Sequence, residues 1–238
     1  MIYHLQHTGS TNDDARADKY REGDIVWAEV QSAGRGQRGH TWQSREGENL
    51  TFSVVLEPTF LHITQQFSLL EVVALSLVDT LAIEGIEASI KWTNDIYVGD
   101  RKLVGILIEH ASVTTHLHRT IVGIGINVNQ REFDASLPNP TSMALVTERQ
   151  FERERVLESF VQMLQRNYTL LREGGGKALH ERYLSKLYRR NTPHTYALAD
   201  GTRFEGTIRD VRERGELVVE HEDGSLHEYL FKEIEFVL

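Results

Sequence analysis

A glycine-rich segment carries the residue types that bind phosphate groups. Gly34-Arg35-Gly36-Gln37-Arg38-Gly39 formally matches the pattern GxGxxG. In a dinucleotide-binding fold this pattern lies between a strand and a helix that begins at once, whereas here a second strand-like run follows. The Gly-Lys-Ser/Thr ending of a P-loop does not follow either. The segment is therefore either a long loop whose backbone N–H groups and arginines bind a phosphate, or a surface loop with solvated charges.

Two further groups of polar and charged residues lie close together in the sequence. Lys91-Trp92-Thr93-Asn94-Asp95 combines a cation, an aromatic ring and an amide, and Lys102 follows in a predicted hairpin. These side chains are candidates for binding a small anionic ligand. Taken singly, the tryptophan is typical of a strand core, the Asn-Asp pair of a turn, and Lys102 of a solvated hairpin.

Glycine alternates with isoleucine in one apolar segment, Gly123-Ile124-Gly125-Ile126-Asn127-Val128-Asn129. Alternate residues of a strand point to the same face, so these two glycines leave part of one face bare. A bare face of this kind marks a place where either a ligand or another part of the backbone lies against the sheet.

The composition excludes several kinds of chemistry. The 238 residues include no cysteine, which excludes disulfides, thiolate metal sites and a cysteine nucleophile. We interpret His110, His116 and His118 as a solvated hairpin, because the His-x-His pair lies in a polar turn and the chain has no cysteine to complete a metal site. The formal net charge of −9 argues against DNA binding, which needs clustered Lys and Arg. Residues 1–13 lack the basic start and apolar run of a signal peptide, and a cytoplasmic location is expected.

The elements that would position these residues alternate irregularly between strands and helices. This order favours an α+β fold with a mixed or antiparallel central sheet over a doubly wound parallel fold. The most apolar stretch, residues 67–86, is broken by three acidic residues and is interpreted as a buried helix, not as a membrane span. Strands are predicted at residues 2–6, 25–30, 50–56, 89–92, 96–98, 103–110 and 119–127, and helices at residues 10–20, 64–84, 150–172 and 177–188.

After Pro193 the chain changes to short strand-like runs separated by turns that contain glycine. Turns are predicted at residues 200–201, 213–216 and 222–224. This spacing is typical of a small β-barrel-like domain. The sequence therefore predicts a larger domain over residues 1–190 and a small C-terminal β domain over residues 191–238.

Taken together, these segments resemble the biotin protein ligases, including the catalytic part of the bacterial biotin repressor. Any one segment is unspecific, but the ordered set has the spacing of the family. The resemblance implies the class II aminoacyl-tRNA synthetase-like fold of biotin and lipoate ligases, followed by a small SH3-like β-barrel. Repressors of the family carry a helix-turn-helix domain before the first segment; only nine residues precede Ser10, so a form without that domain is expected. The matching segments are residues 10–12, 28–36, Trp42, 91–95, 100–107 and 123–127.

The resemblance implies roles for individual residues. Lys102 and Arg35 match the catalytic positions, with Lys102 bridging the biotin carboxylate and the α-phosphate of ATP. The positions implied in biotin binding are Ser10, Thr11, Asn12, Gln31, Gly34, Arg35, Gly36, Gln37, Lys102, Gly123 and Gly125. The positions implied in ATP binding are Arg38, His40, Trp42, Asn94, Asp95, Lys102 and Asn127.

The implied activity is formation of biotinyl-5′-AMP from biotin and ATP, with Mg²⁺ carried by ATP. The implied partner is a biotin carboxyl carrier protein or domain of a carboxylase, with no DNA or membrane partner; a homodimer is one assembly the family uses. The chain departs from the family pattern at Gln37, where arginine is common, at His40, which stands at a basic position, and at Thr93, where proline is usual. The alternatives are a lipoate–protein ligase of the same fold and a non-catalytic module that binds biotin or a nucleotide.

Overall fold

A seven-stranded mixed sheet forms the centre of the computed structural model, which describes residues 1–37, 41–113 and 115–237. The strand order is β1-β2-β3-β7-β6-β5-β4, and only β1 and β2 pair in parallel. This sheet confirms the predicted α+β class with a mixed central sheet. The strands are β1 (Ile2–Thr8), β2 (Ile25–Gln31), β3 (Leu50–Leu56), β4 (Ser89–Lys91), β5 (Asp95–Val98), β6 (Arg101–Val113) and β7 (His116–Ile126).

The central strand β3 shows how the sequence builds two cores on this sheet. All seven residues of β3 are buried, and it pairs with β2 on one side and β7 on the other. Because side chains alternate between faces, Phe52 and Val54 belong to the large core under the helices. Val55 points the other way, into a small cluster that includes Tyr20.

Helices cover the large core on one face of the sheet. Helix α2 (Phe67–Ile83) is apolar on nearly all sides and packs against α4 (Arg153–Arg172) and α5 (Gly176–Ser185). Its two buried hydroxyl groups are satisfied within the helix, since Ser76 and Thr80 donate to the carbonyls four residues earlier at 2.6 and 2.7 Å. Ile63–Ile83, which includes a 3-10 turn at Ile63–Gln65, is long and apolar enough to cross a membrane by length and composition. Of its most apolar window, 67% is buried inside the protein, as in the core helix that the sequence predicts.

Two short helices differ from the sequence-based prediction. Helix α1 spans only Thr11–Asp14, although a helix to about Tyr20 is predicted. The reason lies in Arg119 of β7, whose Nη2 donates to the carbonyls of Ala15, Ala17 and Tyr20 at 3.1–3.2 Å. These hydrogen bonds pair carbonyl groups after α1, so the helix can end early without leaving them unpaired. A five-residue helix, α3 (Met143–Thr147), is not predicted; the Ser142 side chain accepts from Leu145 N at its start.

The C-terminal part forms a separate antiparallel sheet, in agreement with the predicted β domain. Its order is β11-β10-β9-β8-β12. It meets the larger part at Gly215, whose carbonyl accepts a hydrogen bond from Trp92 Nε1 at 2.9 Å. The domain boundary at residues 190 and 191 stays a prediction. The strands are β8 (Pro193–Leu198), β9 (Arg203–Val211), β10 (Leu217–His221), β11 (Leu226–Tyr229) and β12 (Ile234–Phe236).

Candidate ligand-binding site

A groove lies over the middle of the seven-stranded sheet, and the space in it, including the part open to solvent, is about 460 Å³. The groove brings together twelve of the residues implicated by sequence, from six separate segments of the chain. They are Ser10, Thr11, Asn12, Gln31, Arg35, Gly36, Gln37, Trp42, Asn94, Lys102, Gly123 and Gly125.

The floor of the groove consists of three glycines on neighbouring strands. Gly105 of β6 pairs with Gly125 of β7, and Gly123 lies two residues before it on the same face. The indole of Trp42 lies directly on this floor: a Cβ atom at Gly125 would be 2.1 Å from Trp42 Cε2, and one at Gly105 would be 2.9 Å from Cζ3. The bare face predicted for β7 is therefore real, and it extends onto β6 through Gly105, which sequence reasoning did not single out.

One end of the groove is a compact polar cluster. Ser10, Thr11 and Asn12 are buried at the start of α1. Gln31 Oε1 accepts hydrogen bonds from Thr11 N at 2.8 Å and from Thr11 Oγ1 at 3.1 Å. The hydroxyl of Ser53 lies 2.7 Å from Thr11 Oγ1 and 2.6 Å from Asn12 Oδ1. Ser53 is fully buried in β3 and was missed by sequence reasoning, because a serine within an apolar strand gives no signal of its own.

Lys102 supplies a cation beside the glycine floor. Its Nζ lies 2.7 Å from Asp95 Oδ1, and its side chain is 31% exposed. The same ammonium lies 5.9 Å from the centre of the Trp42 ring. Main-chain hydrogen bonds to Asn139 and Thr141 on both sides of Lys102 fix its backbone. The backbone of Lys102 is therefore held in place by these hydrogen bonds, while its ammonium group lies where it can contact a ligand in the groove.

Arg35 lies at the base of the glycine-rich loop. We call residues 34–37 and 41–42 the loop base. Trp42 N donates to Gly34 O at 3.0 Å, and Arg35 forms a β-bridge with Thr41, so the two sides of the loop base are paired. A Cβ atom at Gly34 would lie 2.7 Å from Trp42 O, which explains a glycine there. The Arg35 guanidinium contacts the carboxylates of Asp13 and Glu109.

Of the residues implied in nucleotide or phosphate binding, some line the groove and others do not. Asn94 lines the groove, and its Nδ2 donates to Ile106 O at 2.7 Å. Asp95 is not among the described residues that line the groove, but its carboxylate contacts Lys102, which does. Asn127 is buried. Its Nδ2 donates to Thr141 O at 2.9 Å, and its Oδ1 has no hydrogen-bond partner among the described residues. Gln37 Oε1 is likewise buried with no such partner within the described ranges. Arg38 and His40 lie outside the described residues.

Two charged groups near the site have shifted pKa values. Burial lowers the pKa of Lys91, whose ammonium lies 5.2 Å from the Tyr97 ring centre and 4.9 Å from that of Phe236. Burial acts to raise the pKa of Glu109, but hydrogen bonds from Asn12 and from arginines outweigh it, and the net shift is downward. Within residues 1–37, 41–113 and 115–237, no group of three or more His, Asp or Glu side chains is placed to hold a metal ion.

The sequence matches one protein family and several known proteins. The sequence profile of the biotin/lipoate A/B protein ligase family matches residues 3–127, which include all of the groove-lining segments. The bifunctional ligase/repressor BirA of Bacillus subtilis is 34% identical over 175 residues, 71% of this chain and 53% of that protein. The chain thus spans about half the length of this curated relative. The biotin–[acetyl-CoA-carboxylase] ligase of Mycobacterium tuberculosis is 26% identical over 224 residues, 91% of this chain and 82% of that protein.

Solved structures match over nearly the whole chain. The biotin protein ligase of Aquifex aeolicus in complex with biotin and ATP superimposes with a TM-score of 0.84 at 28% sequence identity, covering 98% of this chain and 97% of that one. The match includes the C-terminal sheet, so the order of both parts is shared.

Proposed function

The chain belongs to the biotin/lipoate A/B protein ligase family, and we propose that it is a biotin–protein ligase. In this proposal it joins biotin to ATP as biotinyl-5′-AMP and then transfers biotin to a lysine of a biotin carboxyl carrier domain. One observation carries the proposal: a buried polar cluster, a bare glycine floor and a lysine ammonium follow one another along a single groove.

The groove matches the chemistry of biotin at both ends. The ureido ring of biotin has one carbonyl and two N–H groups, and the cluster of Ser10, Thr11 and Gln31 offers short donors and acceptors for it. The hydrocarbon chain of biotin needs apolar contact without side chains in the way, which the glycine floor provides. Because the Trp42 indole lies on that floor, a chain bound there replaces the indole in its contact with Gly125.

Lys102 supports the first reaction step, in which two anions must meet. A carboxylate oxygen of biotin attacks the α-phosphorus of ATP, the bond to the β-phosphate breaks, and pyrophosphate leaves. At about 4 Å two like charges repel by about 1 kcal/mol in water and by several times more in a drier site. An ammonium between them offsets this repulsion and stabilises charge on the α-phosphate. Mg²⁺, carried in on ATP as part of that substrate, would neutralise the departing pyrophosphate.

The second step requires no nucleophile from this chain. The neutral amine of an acceptor lysine attacks the acyl carbon of biotinyl-adenylate, AMP leaves, and the nitrogen loses a proton to give the amide. A mixed anhydride is readily hydrolysed, so the site must exclude water until the acceptor arrives. The residues of the loop base line the groove, which supports a role for this loop in excluding water. The predicted homodimer and the carboxylase identity of the acceptor stay predictions.

The test is biotin-dependent exchange between pyrophosphate and ATP in the wild type and in Lys102→Ala. We expect the wild type to exchange with biotin and the variant to lose a factor on the order of 10²–10³, since one charge contact to the reacting group is removed. Lys177→Ala, on the exposed side of α5, is the matched control and should exchange normally. Full activity of Lys102→Ala would contradict the mechanism. Exchange with lipoate instead of biotin, or biotin binding without any exchange, would replace the proposal with one of the two alternatives.

A further inference from the structure

Glu109 on β6 joins three separate segments around the groove without lining it. Its carboxylate accepts hydrogen bonds from Asn12 Nδ2 at 2.8 Å and from Arg16 Nη2 at 2.8 Å. It also accepts from Arg35 Nη1 at 3.1 Å and Nη2 at 3.0 Å, which makes a bidentate pair. A single side chain, 25% exposed, therefore contacts the start of α1, the turn after it and the loop base.

The contact with Asn12 determines which end of that amide faces the floor of the groove. With Nδ2 donating to Glu109, Oδ1 is the end that faces the floor, where it accepts a hydrogen bond from Ser53 Oγ at 2.6 Å. A Cβ atom at Gly123 would be 2.3 Å from this oxygen, so Oδ1 lies directly over the glycine. Glu109 thus orients the Asn12 amide so that an acceptor oxygen, and not a donor nitrogen, lies over Gly123.

The contact with Arg35 fixes the loop base to the sheet. Arg35 Nη2 also donates to Asp13 at 2.7 Å, so the guanidinium is engaged by two carboxylates at once. Two arginines, Arg16 and Arg35, balance the two carboxylates of Asp13 and Glu109. In this arrangement the charge of Arg35 is paired with two carboxylates at the edge of the groove that the residue also lines.

We propose that Glu109 is a positioning residue that holds the loop base over the groove through Arg35 and orients the amide of Asn12, and so controls how long biotinyl-adenylate stays bound. This inference rests on the proposed function, because it concerns the intermediate of that reaction. It assigns to Glu109 no contact with the ligand and no part in bond formation.

The first test is the release rate of labelled biotinyl-adenylate, formed in the full chain and chased with unlabelled biotin and ATP. Glu109→Gln keeps the shape of the side chain but removes the charge that pairs with Arg35. We expect release to become roughly five- to tenfold faster, while the melting temperature stays close to that of the wild type. The matched control is Asp79→Asn, because Asp79 is 28% exposed and both its carboxylate oxygens accept from Arg182 Nη2, away from the groove. Its release rate should equal that of the wild type.

The second test combines Glu109→Gln with Arg35→Gln. If both residues act through one contact, the double variant releases adenylate no faster than the quicker single variant. If the increases in release rate of the two single variants multiplied in the double variant, the inference would be overturned. Faster release from Asp79→Asn would overturn it as well. Arg35→Gln alone reports on the same contact if Glu109→Gln fails to fold. A wild type that forms adenylate but a Glu109→Gln variant with unchanged release overturns only this inference; a wild type that forms none overturns the proposed function with it.

Discussion

Gly125→Ala adds one methyl group to the centre of the groove floor. Its Cβ atom would lie 2.1 Å from Trp42 Cε2 and 2.5 Å from Cζ2 and Nε1, whereas ordinary contacts begin at 3.4 Å. The indole must therefore move by about 1.3 Å, and a ligand chain on the same floor must move in the same way. The backbone at Gly125 is not in the left-handed region, so alanine introduces no backbone strain.

The expected effect is large on binding and small on stability. Overpacking of a tight contact costs about 1–3 kcal/mol, which corresponds to a roughly 5- to 150-fold weaker Kd for biotin. Replacing glycine within a strand gains about 0.5–1 kcal/mol of backbone entropy, which partly offsets the lost contact with Trp42 in the free protein. We therefore expect a melting temperature near that of the wild type.

Isothermal titration with biotin, together with thermal unfolding, measures both effects. Gly176→Ala at the start of α5 is the control, because its Cβ would meet only Leu171 Cδ1 at an ordinary 3.6 Å. That variant should bind biotin as the wild type does. A folded Gly125→Ala protein with an unchanged Kd would refute the reasoning, since it would mean that biotin does not lie on the glycine floor.

Two further predictions concern stability. The hydrogen bond to Glu71 raises the pKa of His180 above its usual 6.5, so its stabilisation is complete below that pH and is lost as pH rises through the raised pKa. Burial also raises the pKa of Glu71, so the contribution of this carboxyl to the free energy of unfolding likewise falls as pH rises, but at lower pH. Urea unfolding between about pH 6 and 9 should show this loss in the wild type and less of it in His180→Gln. Arg153→Ala removes the bidentate partner of the Glu29 carboxylate, which is 9% exposed, and should lower the free energy of unfolding by about 2–3 kcal/mol. A loss below about 1 kcal/mol in urea titration would contradict the importance of that pair.

The glycine floor and the lysine beside it could be predicted from sequence because each has a local pattern. The alternation of Gly123 and Gly125 in an apolar run indicates a bare strand face without knowledge of its neighbours. The family resemblance then places Lys102 and the residues around Ser10 in the same site. The structure brings all of them into one groove.

Features that depend on pairing between distant segments could not be predicted in this way. Gly105 completes the floor only through its register with Gly125, and Ser53 joins the polar cluster only because β3 lies beside β7. The early end of α1 depends on Arg119, 104 residues from Ala15 in the chain. Glu109 contacts Asn12 across 97 residues and carries no motif of its own.

The hydrogen bond between Trp92 and Gly215 has a consequence for how the protein loses its structure. Trp92 is buried two residues before Asn94 of the groove, and Gly215 packs its backbone against Phe67 at the start of α2. Separation of the C-terminal sheet would break this hydrogen bond and expose the apolar indole and the end of the main core helix to water. The two sheets should therefore melt as one cooperative unit, with a single transition whose calorimetric and van't Hoff enthalpies agree.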